Sequence, residues 1–494
     1  MQQRSADAPE AVRHRRQSER PRGLAARAGR WLKAWSWLNL RLASSSQEWL
    51  RRHFTPAGQG VLAATFAAGL FGLDTRLTAA HQAFAFGLVL LGVAWLGTLV
   101  PLAKLRSHRR PPSRAAVGAP CRYKVEVANT GGRIARGLTL HERLPDPRPS
   151  RAAFVDTRAP VEATLNPFER LLGYPRWEWL IRQTRRAEAP APVQLPDLAP
   201  GSVAELTLAL TPTRRGWLTL DALVLGRVDP LGLMRRERVV AASARCLVLP
   251  KRYPTPQLRP PGRRRLQPGG IEQTSSVGDS REFIGLRDYL PGDSPRHIHW
   301  AAWARCGEPV VKEYRDEFFS RQALVLDTCP AAGADPVRFE TAVSAAASLI
   351  APLGEQPNGP DGLLDLLLYA EGTRVLTAGR GLMSTAAMLE VLACVEPQPA
   401  AAFTHLAETV SSRAARQSAC LCVLLHWDDA RRGLVARLRR SGLAVTVLVV
   451  NEQGEQDDPA AAGGAFIAVD ARDPAPALAR LSPDWSLHGA HRAA

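Results

Sequence analysis

The chain contains 494 residues and carries a net charge of +18, with a sequence pI near 10.5. This length exceeds what one hydrophobic core supports and predicts several folded units, while seven cysteines without a Cys-x-x-Cys pair argue against zinc ribbons and a disulfide framework. Much of the excess charge lies in an arginine-rich head, and the basic runs lack interleaved aromatic residues, so specific nucleic-acid recognition is not expected.

Residues 1–55 form a basic head, which is predicted to be partly disordered because its first part is rich in arginine and poor in apolar residues. The segment WLKAWSWLNLRL places Trp31, Trp35, Leu38 and Leu42 at helical spacing beside basic residues. Two interpretations remain open for this segment. It is either an interfacial helix in the headgroup region of a membrane or a helix that packs on the protein.

Two apolar stretches predict a transmembrane helical hairpin over residues 56–104. The second stretch, residues 83–103, has the roughly 20 residues that a helix needs to cross a bilayer. The first, residues 60–73, is shorter, and a buried soluble helix is the alternative. Basic residues flank the hairpin on both sides, so the positive-inside rule predicts a protein of the inner (cytoplasmic) membrane with two spans and both termini in the cytoplasm.

The chain after the hairpin predicts two further domains and a linker. Alternating runs such as RYKVEVANT and VAELTLALTP predict a small antiparallel β-sandwich over residues 115–250, with an unassigned insertion at about 145–200. A Pro/Arg-rich linker follows over residues 251–270. From residue 321 to 482, apolar strands such as QALVLDT and SACLCVLLHW alternate with amphipathic helices, which predicts a doubly wound α/β domain.

The stretch DYLPGDSPRHIHW, residues 288–300, permits a chemical interpretation. Asp293, His297 and His299 offer oxygen and imidazole groups for a metal-dependent hydrolase. A third protein ligand from elsewhere in the sequence is not evident, and such sites usually need one. The chain also lacks the GxxxxGK[ST] and GxSxG motifs of nucleotide and ester hydrolysis, so it is not predicted to be an enzyme.

The same stretch also permits a structural interpretation. Residues 290–293 form a turn with proline and glycine at its centre, and a short helix is expected after it. Arg296 and Arg305 are then placed to pair with Asp293 or its neighbours through forked guanidinium groups. Trp300 is expected, together with the tryptophan at position 303, either to fill the space against the sheet or to belong to an interaction surface.

The run SREFIGLRDYLPGDSPRHIHWAAWAR, followed by EPVVKEY, resembles the signature of the domain of unknown function 58 (DUF58) family. Upstream, RRGWLTLDALVLGRVDPLGLMRR resembles the strand and turn that precede this signature, so the resemblance extends over about residues 115–469. The signature segment is placed at residues 271–320. The matching positions are Glu282, Phe283, Arg287, Tyr289, Pro291, Gly292, Asp293, Arg296, Ile298, Trp300, Ala304 and Arg305.

The resemblance implies a von Willebrand factor A-like domain after the signature. Such domains bind Mg²⁺ through an Asp-x-Ser-x-Ser motif after the first strand, where alternate oxygen ligands suit a hard cation. This chain reads Asp327-Thr328-Cys329-Pro330-Ala331, so only Asp327 remains of a degenerate metal site and no cofactor is expected.

The resemblance also implies partners: a MoxR-type AAA+ ATPase, or a neighbouring membrane protein of the transglutaminase-like kind. The predicted function is therefore a membrane-anchored cytoplasmic interaction scaffold that works with such an ATPase in the assembly or maturation of other proteins. The alternatives are the metal-dependent hydrolase and an accessory membrane protein of a transglutaminase operon.

Overall fold

A computed structural model gives the architecture of most of the chain in three parts: N-terminal helices, a β-sandwich and an α/β domain, with a β-hairpin between the last two. The residues that it describes are 24–71, 78–188, 191–256, 281–291, 293, 295, 298–316, 320–354, 362–379, 382–451 and 466–481.

The N-terminal part consists of three helices, α1 (Leu24–His53), α2 (Pro56–Phe71) and α3 (Thr78–Thr98). Within α3, Ala79–Thr98 is the one described segment that is long and apolar enough to cross a membrane. The 16 residues of α2 span about 24 Å, which is less than the roughly 30 Å of a hydrocarbon core. The first predicted span, residues 60–73, therefore corresponds to a helix that is too short for the same criterion.

The predicted spans and the observed helices differ in their bounds. The second apolar stretch was placed at residues 83–103, whereas α3 begins at Thr78 and ends at Thr98. The early end has a local cause, because Pro101 disfavours helical backbone at the residue before it and cannot itself extend the helix.

α2 and α3 pack side by side. A Cβ atom on Gly87 would lie 2.1 Å from Thr65 Oγ1, and one on Gly69 would lie 2.9 Å from the Phe84 ring. Only glycine at these positions allows the two backbones to approach this closely.

Both helices meet the sandwich at one turn, residues 229–234, which we call the base turn. The Asp229 carboxylate shapes it by accepting hydrogen bonds from the backbone N–H groups of Leu233 (2.8 Å) and of two further residues of the turn. Just before α2, Thr55 donates its N–H to Leu233 O (2.9 Å), and near the end of α3 a Cβ on Gly97 would lie 3.1 Å from Pro230. The start of α2 and the end of α3 thus lie together, and the two helices run antiparallel.

The sandwich consists of two sheets that enclose one apolar core, with strand orders β1-β3-β7-β5 and β2-β9-β8-β4-β6. All pairs are antiparallel except β2 with β9. The strands are β1 (Leu105–Arg110), β2 (Arg114–Ala116), β3 (Cys121–Asn129), β4 (Leu138–Arg143), β5 (Ala187–Glu188), β6 (Val193–Gln194), β7 (Val203–Pro212), β8 (Gly216–Val228) and β9 (Arg235–Leu249).

The first strand of the sandwich precedes the predicted start at residue 115. β1 has the sequence LRSHRR, whose basic residues conceal its strand character. Arg109 nevertheless lies in the interior, where it donates to the Glu142 carboxylate (3.0 Å) and to Leu220 O (3.0 Å). Burial of this arginine is possible because the Glu142 carboxylate neutralises its charge and a backbone carbonyl accepts a second hydrogen bond.

The insertion that the sequence left unassigned is helical, with α4 (Arg151–Asp156), α5 (Pro167–Leu172) and α6 (Tyr174–Thr184). These helices form a small core with one face of α1, in which Phe154 and Trp177 are buried and Trp37 is half-buried. Trp37 Nε1 also donates to Pro149 O (3.1 Å). One face of α1 therefore packs on the protein, as the second interpretation of this segment proposed.

Between the sandwich and the α/β domain, β10 (Arg281–Asp288) pairs with β11 (Val310–Asp316) as a separate two-stranded sheet, with the short helix α7 (Trp300–Cys306) between them. We call residues 281–316 the signature hairpin.

The α/β domain has a six-stranded sheet of order β14-β13-β12-β15-β16-β17, in which all neighbours are parallel except β13 and β14. Two apolar cores cover its two faces, which makes the domain doubly wound. The strands are β12 (Ser320–Leu326), β13 (Gly362–Tyr369), β14 (Thr373–Ala378), β15 (Ala419–Leu424), β16 (Ala444–Asn451) and β17 (Phe466–Asp470). The helices are α8 (Pro336–Gly354), α9 (Thr385–Cys394), α10 (Phe403–Arg413), α11 (Asp429–Arg440) and α12 (Ala475–Ala479).

Arg215 joins the sandwich to the α/β domain. Its Nε donates to Leu392 O (3.1 Å) near the end of α9, and its other nitrogens contact Val395 O and the Glu340 carboxylate. The guanidinium also lies over the Phe339 ring at 5.2 Å. This buried and fully engaged side chain therefore links the two domains directly.

Candidate interaction site: the signature hairpin and the carboxyl edge of the α/β sheet

The backbone of the signature hairpin is set by the antiparallel register of β10 and β11, which places Arg287 opposite Val311 and Asp288 opposite Val310. A register shift between Phe283 and Gly285 bends β10. A two-stranded sheet alone is marginally stable in water. Additional contacts in the loop between the strands are therefore needed to fix the shape of the hairpin.

Asp293 supplies these contacts. Its carboxylate accepts two parallel hydrogen bonds from the Arg287 guanidinium (2.6 and 2.7 Å) and a third from the Leu290 N–H (2.9 Å). The Asp293 N–H donates to Leu290 O (3.1 Å) and closes the predicted turn around Pro291. The forked pair ties the loop to β10, because a planar guanidinium and a carboxylate fix both distance and orientation.

The arginine described beside Asp293 is Arg287, which reaches it from the preceding strand. The sequence interpretation placed Arg296 and Arg305 against Asp288, Asp293 or backbone carbonyls and did not include Arg287 in this role. Arg305 is exposed in the last turn of α7. Arg296, like Gly292 and His297, lies outside the described residues.

His299 begins α7. Its Nδ1 accepts a hydrogen bond from the Ala302 N–H (2.9 Å), and its own N–H donates to Val310 O (2.8 Å). Among the described residues, no group of three His, Cys, Asp or Glu side chains is placed to hold a metal ion. Asp293 and His299, two of the three residues of the hydrolase alternative, thus each have a structural role.

The signature hairpin exposes a set of large apolar side chains. Trp300 is 63% exposed and stacks on Trp303 with ring centroids 5.4 Å apart. Leu286 and Leu290 are also exposed. The tryptophan pair therefore leaves Trp300 open to a partner and does not fill a gap against the sheet. Aromatic residues next to a fixed arginine are frequent anchors of protein interfaces.

The remaining signature positions belong to the strand framework. Glu282 and Phe283 lie in β10 opposite Arg315 and Tyr314 of β11. Tyr289 donates its N–H to Pro309 O (2.9 Å) and extends the pairing beyond β10.

A second candidate site lies at the carboxyl edge of the α/β sheet, between β12 and β15, where the strand order reverses and ligands of doubly wound folds bind. Asp327 follows β12 there and is completely buried. Its carboxylate accepts hydrogen bonds from the N–H groups of Cys329 (2.9 Å) and Leu425 (3.2 Å), and from Arg431 Nε (3.0 Å) and Nη2 (3.3 Å).

Arg431 comes from α11 and is itself fully engaged. It donates to Cys329 O (2.8 Å) and to Asp428, which caps α11, and its guanidinium lies 4.1 Å from the centre of the Phe403 ring. Both oxygens of Asp327 thus already face N–H donors on the side where a cation would bind.

The electrostatics of this edge do not fit Mg²⁺. Burial raises the pKa of the Asp327 carboxyl, and Arg431 with the two backbone N–H groups opposes that shift. Burial likewise raises the pKa of the Cys329 thiol to about 11, so the group at the former serine position is a neutral thiol and not an oxygen ligand. A cation at Asp327 would have to displace a buried guanidinium.

The sequence interpretation missed two arginines, Arg431 of the second site and Arg215 between the domains. Arg431 pairs with a residue 104 positions away and Arg215 with carbonyls more than 170 positions away, so the sequence around each arginine does not identify its partner. The available signal for Arg431 was its place in the first turn after the helix cap Asp428. An arginine there carries the wrong charge for a helix start, which indicates a specific partner.

Residues 285–471 match the model of the family described as "Protein of unknown function DUF58". The match covers most of the signature hairpin and nearly all of the α/β domain, and it confirms the family resemblance there. For the sandwich upstream, the resemblance stays a prediction. No curated protein is significantly similar to the chain in sequence.

Several solved structures are weakly similar. A CARDB domain protein of Pyrococcus furiosus is 14% identical over 30% of this chain and 94% of its own, with a TM-score of 0.16. An aerotolerance-related membrane protein of Bacteroides fragilis is 15% identical over 31% and 92%, with a TM-score of 0.20. Proximal thread matrix protein 1 of the mussel byssus is 14% identical over 33% and 39%, with a TM-score of 0.22. These TM-scores are too low to assign a fold or a function to the chain.

Proposed function

We propose that this chain is a membrane-anchored cytoplasmic scaffold that binds another protein through the signature hairpin and carries out no chemistry of its own. The observation that carries the proposal is the exposed Trp300, which is held beside a loop that the Arg287–Asp293 pair fixes in shape. An exposed aromatic side chain on a rigid segment loses little entropy on binding, which favours an interface.

The membrane part of the proposal rests on α3 and the base turn. α3 is long and apolar enough to cross a bilayer, and α2 runs antiparallel beside it. Both helices meet the sandwich at the base turn. If α3 inserts into a bilayer, α2 therefore inserts from the same side of that bilayer. Arg51, Arg52 and Lys104 flank this entry point, which supports two spans with both termini in the cytoplasm.

The Asp327–Arg431 pair supports a scaffold that works without metal. A guanidinium that already neutralises Asp327 fixes the carboxyl edge of the sheet in one state. We therefore expect partner binding to be independent of divalent cations.

The partner that the family resemblance implies is a MoxR-type AAA+ ATPase, with a neighbouring transglutaminase-like membrane protein as the other candidate. The test is affinity purification of the tagged full chain from solubilised membranes in the presence of EDTA. Wild type should enrich one fixed partner, and Trp300→Ala should lose it. Trp217→Ala is the matched control, because Trp217 is a similarly exposed tryptophan (58%) on the sandwich. Equal enrichment by wild type and Trp300→Ala would refute the hairpin as the binding surface.

A further inference from the structure

The helix α1 presents an exposed apolar stripe, formed by Trp31, Trp35, Leu38, Leu42 and Trp49. Successive members are three, four or seven residues apart, so all of them lie on one face of the helix. The three tryptophans are each more than half exposed. A contiguous patch with three exposed tryptophans is unusual on the surface of a soluble protein and marks an interaction site.

The orientation of this stripe is fixed by the opposite face of α1. Ser36 is buried and donates its hydroxyl to Leu172 O, and Trp37 is held by Pro149 O. The helix cannot roll to bury the stripe without breaking these contacts. The stripe is therefore a permanent feature of the surface.

The charge of α1 and the position of the stripe next to α2 indicate which partner covers the stripe. α1 carries Arg30, Lys33, Arg41 and further basic residues but one acidic residue, Glu48. At its end, Trp49 lies 5.9 Å from Phe54, and Phe54 pairs with Met234 in the base turn where α2 begins. The stripe consequently runs up to the point at which the chain enters the bilayer. Tryptophan and flanking cations together are the composition that the headgroup region accommodates best.

We propose that the α1 stripe lies in the headgroup region of an anionic lipid surface, that of the bilayer which α3 enters. This inference rests on the proposed membrane anchoring and deepens it. Lipid contact at α1 in addition to α3 fixes the tilt of the sandwich, and through Arg215 that of the α/β domain, relative to the membrane. The signature hairpin is then presented in one direction.

The test uses the full chain in vesicles of phosphatidylcholine and phosphatidylglycerol, with the exposed thiols Cys306 and Cys394 replaced by serine. An environment-sensitive fluorophore is attached to one cysteine at a time. Trp35→Cys reports on the stripe, Gln47→Cys on an exposed position of α1 outside the stripe, and Phe86→Cys on α3. Quenching is measured with lipids that carry a nitroxide near the headgroup or deep in the acyl chain, and unsubstituted protein gives the background.

We expect the label at position 35 to be quenched at least about two-fold more by the shallow nitroxide than by the deep one, as befits a helix buried ~5–10 Å into the interface. The label at 47 should stay unquenched, and the label at 86 should respond more to the deep nitroxide. Replacing phosphatidylglycerol by phosphatidylcholine should reduce the signal at 35 and leave that at 86 unchanged.

An unquenched label at 35 together with a quenched label at 86 would overturn the inference while the membrane anchor stands, and would assign the stripe to a protein partner. Unquenched labels at both 35 and 86 would instead refute the anchoring on which the inference rests. Circular dichroism of each variant verifies that α1 is still folded.

Discussion

Two aspartate–arginine pairs of this chain are both joined by two hydrogen bonds but have different surroundings. Asp327 and Arg431 are 0% and 5% exposed at the carboxyl edge of the α/β sheet, whereas Asp293 and Arg287 are 20% and 37% exposed in the signature hairpin. A buried pair contributes mainly by preventing the cost of a lone buried charge, while an exposed pair is screened by water and contributes little free energy. The buried pair therefore stabilises the fold, whereas the exposed pair mainly fixes the conformation of a surface loop.

The largest expected effect comes from breaking the buried pair. Arg431→Met leaves the Asp327 carboxylate without its countercharge, and we expect a loss of about 3–5 kcal/mol of unfolding free energy. Denaturant unfolding of the purified full chain measures this. Arg437→Met is the matched control, since Arg437 is exposed on the same helix and its loss should change little.

The double variant Asp327→Leu/Arg431→Met sharpens the interpretation. Because both charges are removed together, it should recover most of the stability that the single variant loses. A single variant as stable as the wild type would contradict the role of Arg431 as a fixed internal cation.

A second prediction concerns Arg215, which is buried like Arg431 but lies between domains. Arg215→Ala leaves the carbonyls of Leu392 and Val395 and the Glu340 carboxylate without this donor, and should cost about 1.5–3 kcal/mol. Scanning calorimetry should show the sandwich and the α/β domain unfolding in separate transitions. Arg245→Ala, at an exposed position of β9, should keep the wild-type profile. One unchanged transition in Arg215→Ala would show that other contacts hold the domains together.

A third prediction concerns the exposed pair. Arg287→Ala should reduce stability by only about 0.2–1 kcal/mol, because the pair is solvent-screened. Its effect on the affinity for the partner should be much larger, because the loop before Trp300 loses the hydrogen bonds that fix its conformation. Titration of the purified partner onto wild type and variant separates the two effects. If Arg287→Ala loses little stability and binds the partner with unchanged affinity, the Arg287–Asp293 pair does not contribute to binding.

The smallest expected effect concerns a pair of intermediate exposure, Arg176 (2%) and Glu162 (15%), in the insertion under α1. Burial alone would raise the pKa of Glu162, but the Arg176 guanidinium and the Ala159 N–H outweigh it and hold the pKa below its ordinary value of 4.5. The folded state therefore binds fewer protons than the unfolded state. The stabilisation is complete above pH 4.5 and is lost as the pH falls through the lowered pKa.

We expect the protection of α1 and α4 amides, measured as the exchange rate relative to the intrinsic rate at each pH, to fall only below that pH, and modestly, because solvent screens part of the interaction. Glu162→Gln should remove this pH dependence. The same loss of protection in the variant would assign it to another group.

The comparison also shows which parts the sequence predicts. The strands of the α/β domain were predicted correctly because each is a continuous run of apolar residues, and the turn around Pro291 was predicted from its residue types. Strand β1 was not predicted, because a buried arginine such as Arg109 has the sequence signal of a surface residue until its partner Glu142 is known. The pairing of Asp293 with Arg287 depends on the register of β10 and β11, and a single sequence does not specify that register.

The central claim, a metal-independent scaffold whose signature hairpin binds the partner, is tested most directly by photocrosslinking in membranes. A photoreactive residue at position 300, with position 217 as the control, should give a covalent adduct with one AAA+ ATPase from position 300 alone, and EDTA should leave its yield unchanged. No adduct at 300, an equal adduct at 217, or loss of the adduct in EDTA would contradict the account.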